Sequence, residues 1–300
     1  MKLKQGHLAI FILPTMILYT LFIIYPLISS LFLSLYSWPG VGEKIFIGFK
    51  NFQEIFSGSF GKEVFNALFH NLYFFIVVTT LELGLGFFIA LMLASKTKVA
   101  RVSKVVAYIP NSIPIVLVGF MWGLFLNPQV GIINQTFRAL GLDSLARTWL
   151  GDPNLALSTI MLINVWRNLG FYVLVLLAAI LNVSPDLIEA AYIDGANNWK
   201  IIWHIIFPLT FSTLRTLTIL LFIWSFNIFD IIYSLMGVQA GPFRSTDVLG
   251  TLFYRTAFGG LGSAATDMGL GAAVTVCIFS IVMPVSILYV YLYEKKQRSV

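Results

Sequence analysis

The chain has 300 residues, of which 58% are hydrophobic and only 11% charged, with a formal net charge of +6. Soluble domains average about 25% charged and about 45–50% apolar residues, so this composition, with its mean hydropathy of +0.88, excludes an ordinary soluble fold and implies a membrane protein. The positive excess reads as a topology signal rather than as a nucleic-acid surface, and the single cysteine, Cys277, excludes an internal disulfide or a cysteine-based metal cluster.

A span needs about 20 mostly apolar residues to cross the hydrocarbon. Six runs qualify, at roughly 9–36, 69–95, 105–127, 157–182, 209–236 and 268–293. Lipid offers no partner to a backbone N–H or C=O, so these runs must be helices. They are too long and continuous for barrel strands, which alternate. The first follows "MKLKQGH", a start that resembles a signal peptide, but its apolar stretch far outruns the usual h-region of about 7–15 residues and lacks a clear small-residue cleavage site. It is read as an uncleaved first span. Pro14, Pro26, Pro110, Pro114 and Pro284 lie in or beside spans and are read as ordinary bends. The expectation is an all-α polytopic membrane protein with six transmembrane helices.

Orientation follows from lysine and arginine. Lys2 and Lys4 precede the first span; Lys96, Lys98, Arg101 and Lys104 crowd the second connection; Lys200 and Arg215 flank the fourth; Lys295, Lys296 and Arg298 close the chain. Both termini are therefore expected in the cytoplasm. The other three connections, about 37–68, 128–156 and 237–267, are expected outside. The first is aromatic enough to lie at the interface. The second has turn signals at Gly131, Gly141 and "GDPN", with a short amphipathic helix between them. The third is rich in glycine.

The fourth connection contains "EAAYIDGANNWKIIWHIIFP", Glu189 to Pro208. Ser184 and Pro185 make a helix start, a capping oxygen followed by proline at the first helical position. Asp186 and Glu189 suit the positive end of that helix. Leu187, Ile188, Ala191 and Tyr192 share a face, and Gly195 stands where a left-handed exit is expected. A second stripe, Trp199, Ile202, Trp203 and Ile206, has helical spacing, and Pro208 is expected to open the fifth span. The reading is a short cytoplasmic helix, a tight turn and an interfacial helix, forming a knob that another protein could grip.

These residues resemble a known family. Glu189-Ala190-Ala191, Gly195, Ile205 and Pro208 follow the cytoplasmic-loop pattern of permease subunits of binding-protein-dependent ABC importers, with Phe207 where leucine is usual. The "IDGA" run, Ile193 to Ala196, is similar to the carbohydrate branch, as in maltose- and glycerol-phosphate-type permeases. So are "GIINQTFRALGL", "TWLGDPNLAL", "VWRNLGFYVLVLLAAILNVSPDLIEAAYIDGA", "FNIFDIIYSL" and "FYRTAFGGLGSAATDMGLGAA", in that order. Where relatives often have a Thr-x-Gly-Gly-Pro-like turn, this chain reads "VQAGP". The resemblance implies an ABC importer type I permease fold in a bacterial or archaeal plasma (inner) membrane. It divides the chain into a first helix and external loop (1–66), a type-1 core domain (67–293) and a basic cytoplasmic tail (294–300). It implies that Glu189, Ala190, Ala191, Asp194, Gly195 and Pro208 form the loop that couples to an ATPase. The implied partners are a second permease of similar fold, two cytoplasmic ATPase subunits, an extracytoplasmic binding protein, the sugar and membrane lipid, with no nucleic acid.

The chain has no Gly-x-x-x-x-Gly-Lys-Ser/Thr loop to cradle ATP, so energy must come from partners that bind it, and no cofactor is expected on the chain itself. No serine nucleophile elbow is present, and His7, His70 and His204 are scattered, so neither an enzyme nor a metal site is expected. Charges within spans are costly, about 2.5–3.5 kcal/mol on insertion scales, which singles out Glu82, Arg167 and Asp230. Glu82 and Arg167 read either as an interhelical salt bridge or snorkelling arginine, or as part of a substrate path. Sugars need planar polar groups for hydroxyls and aromatic faces for stacking. The fifth span offers Trp224, Asn227, Phe229, Asp230 and Tyr233, and with Arg167 these are the candidate path. On one continuous helix Asn227, Asp230 and Ser234 share a face. Two alternatives stay open: an ABC permease for another cargo, such as glycerol-phosphate, a polyamine or an amino acid, and a proton-coupled secondary transporter using Glu82 or Asp230. Secondary transporters usually carry internal inverted repeats, and none is detectable here.

Overall fold

A computed structural model describes residues 5–94, 98–260 and 266–297. Lys2, Lys4, Lys96 and Arg298, on which part of the orientation argument rests, lie outside the described residues, as do the side chains of Lys98, Lys295 and Lys296. In chain order the elements are α1 (Gln5–Tyr19), α2 (Tyr25–Leu33), β1 (Tyr36–Ser37), β2 (Ile45–Phe46), α3 (Lys50–Phe56), α4 (Gly58–Leu93), α5 (Lys98–Tyr108) and α6 (Ile115–Phe125). There follow α7 (Ile132–Ala139), α8 (Ala156–Leu181), α9 (Pro185–Ile193), α10 (Asn198–Ile201), α11 (Phe207–Phe226), α12 (Asp230–Met236), α13 (Leu249–Phe258) and α14 (Met268–Gln297). Among the described residues five helices are long and apolar enough to cross a membrane, and a sixth crossing is made if the pair Ala100–Ser112 and Ile115–Phe125, bent by 94°, counts as one span.

Two prolines are accommodated by the same local device. A proline has no N–H for the carbonyl four residues back, and its ring crowds that carbonyl. Before Pro26 the helix widens into a π-turn at Thr20–Ile24, and before Pro208 it does so at Ile202–Ile206. Neither proline stops its helix. The fifth span therefore does not open at Pro208 as expected: residues Asn198–Phe226 run as one 29-residue span. The extra residue in the turn also changes which side chains face inward. Ile201 and Ile206 are buried, five residues apart, whereas Trp199 is 63% exposed. Of the stripe expected from sequence, Ile206 is buried, Ile202 packs against the core and the Trp203 ring meets that of the exposed Trp199 at 5.5 Å. The π-turn, which departs from 3.6 residues per turn, separates the buried pair Ile201 and Ile206. Pro110 and Pro114 flank the 94° bend, a far sharper feature than the ordinary bending expected.

The chain forms two compact units. The first comprises residues 1–65 and 252–284. Here a two-stranded antiparallel pair sets Tyr36 opposite Phe46 and Ser37 opposite Ile45. Buried Asn51 donates to the carbonyls of Ser34 (2.8 Å) and Tyr36 (2.9 Å). Asp267 caps α14, its carboxylate accepting from the N–H groups of Gly269 (2.8 Å) and Leu270 (3.0 Å) and from Ser37 Oγ (2.8 Å). Ile55, Leu270, Ala273 and Val274 form its core.

The second unit comprises residues 66–251 and 285–300. Its most buried helix is α8, which contributes Met161, Val165, Tyr172, Leu176 and Leu177 to a core shared with Phe74, Val78 and Phe87 of α4 and with Leu217 and Leu221 of α11. Two glycines permit close backbone approach. At Gly170 an added Cβ would run into the carbonyl of Ala107, and at Gly119 into Ser234. The two halves of the bent pair are thus packed against α8 and α12 respectively. The amphipathic helix expected between Gly131 and Gly141 is α7, and Gly141 has φ +73°.

Candidate functional site

A cavity of about 490 Å³ lies within the second unit. Its walls are Phe74, Val78 and Glu82 of α4, Asn164, Arg167, Asn168, Phe171 and Tyr172 of α8, Tyr108, Asn111 and Ile115 around the bend, and Leu221, Trp224, Ser225 and residues 227–231. Residues 221–231 do not form one helix. The α11 helix ends at Phe226, residues 227–229 lie outside any helix, and α12 starts at Asp230. The shared helical face expected for Asn227, Asp230 and Ser234 therefore does not exist. Asn227 folds back as a C-terminal cap, its Nδ2 donating to the carbonyl of Ile223 at 2.8 Å.

Trp224, Asn227, Phe229, Asp230 and Arg167 all line the cavity. Tyr233 does not; its ring stacks on Phe229 with centroids 5.0 Å apart, so it backs the wall. Glu82 and Arg167 do not form the salt bridge that one reading expected. They are the two ends of a chain of asparagines. Asn164 Nδ2 donates to Glu82 Oε1 (3.3 Å), and Asn168 Nδ2 donates to Asn164 Oδ1 (3.2 Å). Asn168 Oδ1 in turn accepts from Arg167 (3.0 Å) and from Asn111 (3.3 Å). Arg167 Nε also reaches the carbonyl of Ile113 at 3.4 Å. A buried polar group without a partner is expensive, so a linked row of amides inside a greasy unit fixes the relation of α4, α8 and the bend. Asn164 and Asn111 were not singled out by sequence. The spacing of Asn164, Arg167 and Asn168, at i, i+3 and i+4 on an apolar helix, held the signal for the first; nothing local marks the second.

Asn71 was also missed. It is fully buried, and its amide donates to the carbonyl of Ser225 (2.6 Å) while accepting from the N–H of Leu249 (2.9 Å). Beside it His70 Nδ1 donates to the carbonyl of Asp247 at 2.7 Å. One residue of α4 thus holds both the end of α11 and the start of α13.

The 182–200 connection closely follows its sequence expectation. Pro185 opens α9, although the Ser184 hydroxyl makes no capping bond. Gly195 has φ +79°, Ala196 N–H bonds to the carbonyl of Ala191 (2.9 Å) and Gly195 N–H to that of Tyr192 (3.0 Å). That is a Schellman exit, with its 6→1 and 5→2 bonds. Asn197 then caps α10 by accepting from Lys200 N–H (2.9 Å), and Tyr192 Oη donates to Asn198 (2.7 Å), locking the turn. Ile188 and Ala191 pack inward. Glu189, Ala190, Asp194 and Gly195 are exposed, together with Leu187, Tyr192 and Ile193, the last at 87%.

Residues 82–298 match the family described as binding-protein-dependent transport system inner membrane component. The chain belongs to this family. Like its other members it is a multi-pass component of the inner membrane. It is 32% identical to the trehalose/maltose transport system permease protein MalF of Thermococcus litoralis over 95% of this chain and 92% of that one. It is 30% identical to the alpha-glucoside transport system permease protein AglF of Rhizobium meliloti, over 93% and 80% respectively. A solved bacterial ABC transporter involved in import of the acidic polysaccharide alginate superposes with a TM-score of 0.79 at 21% identity, covering 97% of this chain and 96% of that one. At that identity the likeness establishes the ABC importer permease fold and no more.

Proposed function

We propose that this inner-membrane component is the permease subunit of an ATP-driven importer for a neutral or charged sugar or oligosaccharide, both termini facing the cytoplasm. The observation that carries this reading is the cavity, where amides, carboxylates and a guanidinium face the same 490 Å³ as Trp224 and Phe229. Hydroxyl-rich cargo needs both kinds of wall, and the sugar relatives support it. The chain does no chemistry of its own: ATP binds to two partner ATPase subunits, a second permease completes the membrane path and an extracytoplasmic binding protein delivers cargo.

The ATPase contact falls to α9 and its exit. Glu189, Ala190 and Asp194 stand free of the unit's core, and the small Ala190 lets a groove close round the backbone. Leu187, Tyr192 and Ile193 supply an exposed apolar surface that a solvated loop gains nothing by displaying. Pro208 shapes the π-turn that joins this loop to α11.

The test is reconstitution. Proteoliposomes holding both permeases and the ATPases should accumulate a labelled sugar only with ATP and binding protein. Asn227→Ala should lower that uptake while the complex still assembles. Sugar uptake by this chain alone, driven by a pH gradient, would make it a secondary transporter and overturn the reading.

A further inference from the structure

The helix from Asn198 to Phe226 runs unbroken for 29 residues, so Arg215, counted among the bases that flank the fourth connection, stands well inside a span. That stretch contains Lys200, His204 and Arg215 and no acid. Four aromatic rings follow one another along it at four-residue intervals. Trp199 meets Trp203 with centroids 5.5 Å apart, Trp203 meets Phe207 at 5.1 Å, and Phe207 meets Phe211 at 5.8 Å. Arg215 is the next position, and its guanidinium lies over the Phe211 ring at 4.2 Å.

Phe211 is one turn nearer the start of the helix, so the Arg215 side chain runs back along the span towards the α9 end. The Arg215 backbone is eight residues into α11, about 12 Å, and the fold-back returns the guanidinium to the level of Phe211, about 6 Å from that start. This is how a snorkelling arginine carries its charge out of the hydrocarbon. Arg215 is half-buried, and among the described residues it makes no hydrogen bond and no ion pair. A charge within a span is costly unless it is paired or reaches the interface. The ring covers one face of the guanidinium and leaves its N–H edge to something outside the chain. We propose that Arg215, held over Phe211, binds the phosphate of an anionic phospholipid in the leaflet on the α9 side of the membrane. A phosphate matches the planar N–H fork. Acyl chains match the exposed Leu209 and Phe211 beside it, and an anionic headgroup answers a helix with bases and no acid. A carboxylate on a neighbouring helix would be met by a side chain directed across the span; this one runs along it, towards the level of lipid phosphates.

The test is a lipid titration of the full-length chain, purified in neutral detergent, with adducts resolved by native mass spectrometry. The probes are dioleoylphosphatidylglycerol and dioleoylphosphatidylcholine, which share their acyl chains, so the ratio of their affinities isolates the headgroup. Wild type should take its first phosphatidylglycerol about fivefold more tightly than phosphatidylcholine, the scale of one basic residue at a membrane surface. Arg215→Gln should bring that ratio close to one, and Arg215→Lys, which keeps the charge without the fork, should fall between. Phe211→Leu keeps apolar bulk but removes the ring; it should lower the ratio about twofold and serves if Arg215→Gln fails to fold. Arg101→Gln, which removes an exposed base on another helix, should leave the first adduct unchanged. Glycerophosphate, the same phosphate without acyl chains, should leave no adduct at equal concentration. Equal binding of the two lipids by wild type overturns the proposal, as does a ratio that Arg215→Gln and Phe211→Leu leave intact. So does an equal loss in Arg101→Gln, which would make the preference one of bulk charge, or a glycerophosphate adduct as stable as the lipid's, which would make a soluble phosphate the ligand. Loss of the second permease from Arg215→Gln with the lipid ratio unchanged would assign the charge to a subunit contact instead. No transport enters the measurement, so each result leaves the importer reading where it stands.

Discussion

The chain leaves one helix and begins another at two places that look alike in outline and are held in opposite ways. Between α9 and α10 the turn is made from its own residues: Gly195 takes φ +79°, its neighbours close the Schellman bonds, and Asn197 caps the next helix. Between α11 and α12 the break at 227–229 is held mainly from a distance. Asn71, more than 150 positions away, ties down Ser225, and Gly250 lets the chain pass so close that an added Cβ would sit 2.6 Å from the carbonyl of Ile228. A locally made turn can protrude and be gripped by a partner without disturbing the core. A turn held from elsewhere is part of the core, and the cavity it lines shares that rigidity.

This difference also explains what the sequence made legible. Capping residues, an exit glycine and apolar run length are local signals, so the six-span architecture, α7 and α9 were all readable. The break after Asn227 was not, because nothing in "SFNIFDIIYS" by itself opposes helix; its restraint lies in Asn71 and Gly250. The asparagine row was half visible in α8 and invisible at Asn111, which reaches Asn168 only because the bend brings it there. The π-turn at Ile202–Ile206 was not legible in the stripe of Trp199, Ile202, Trp203 and Ile206, and only the position of Pro208 hinted at it.

The comparison breaks most severely at Asn71. Asn71→Ala leaves a buried carbonyl and a buried N–H without partners, each about 1–3 kcal/mol, so a loss of roughly 2–5 kcal/mol is expected. The thermal midpoint of the purified complex should fall by several degrees and uptake should be lost with it. A variant of wild-type stability would show that the break holds itself. Gly250→Ala tests the second restraint. The methyl must displace backbone, at about 1–3 kcal/mol, and it should perturb sugar uptake, because the crowded carbonyl of Ile228 belongs to the cavity wall. Unaltered stability and uptake would mean the 227–229 segment yields freely.

At the local turn the expected pattern reverses, with a small cost in stability and a large one in function. An added Cβ at Gly195 meets nothing within 4 Å, so Gly195→Val is penalised only by its left-handed conformation, about 1–2 kcal/mol. The protein should fold, insert and keep its cavity, yet lose the ATPase subunits on purification or hydrolyse ATP without import. Ala190→Trp, which adds bulk on the exposed face, should do the same. If both variants retain the ATPase and the ratio of uptake to hydrolysis, α9 is not the coupling element.

The smallest effect is expected where the two kinds of turn meet in one residue. Ala240 has φ +47°, in the conformation that Gly195 occupies with φ +79°. It stands where the resembled family often has glycine, and Phe243 and Arg244 nearby are left-handed too. Unlike Gly195 it is fully buried, packed in a cluster with Val118, Ile160, Ile231 and Val248. Replacing it with glycine relieves about 1–2 kcal/mol of left-handed strain. The same change forfeits about 0.8 kcal/mol of buried methyl and about 0.4–1 kcal/mol of chain entropy in the unfolded state. These terms nearly cancel, so Ala240→Gly should leave the thermal midpoint within a degree or two. Gly195→Ala, with no packing to gain, should lower it measurably. A marked rise for Ala240→Gly would mean that the cluster imposes strain its methyl does not offset. A marked fall would mean that the methyl is a keystone of the cluster, and the turn at 237–244, like the break at 227–229, is then held by what packs against it.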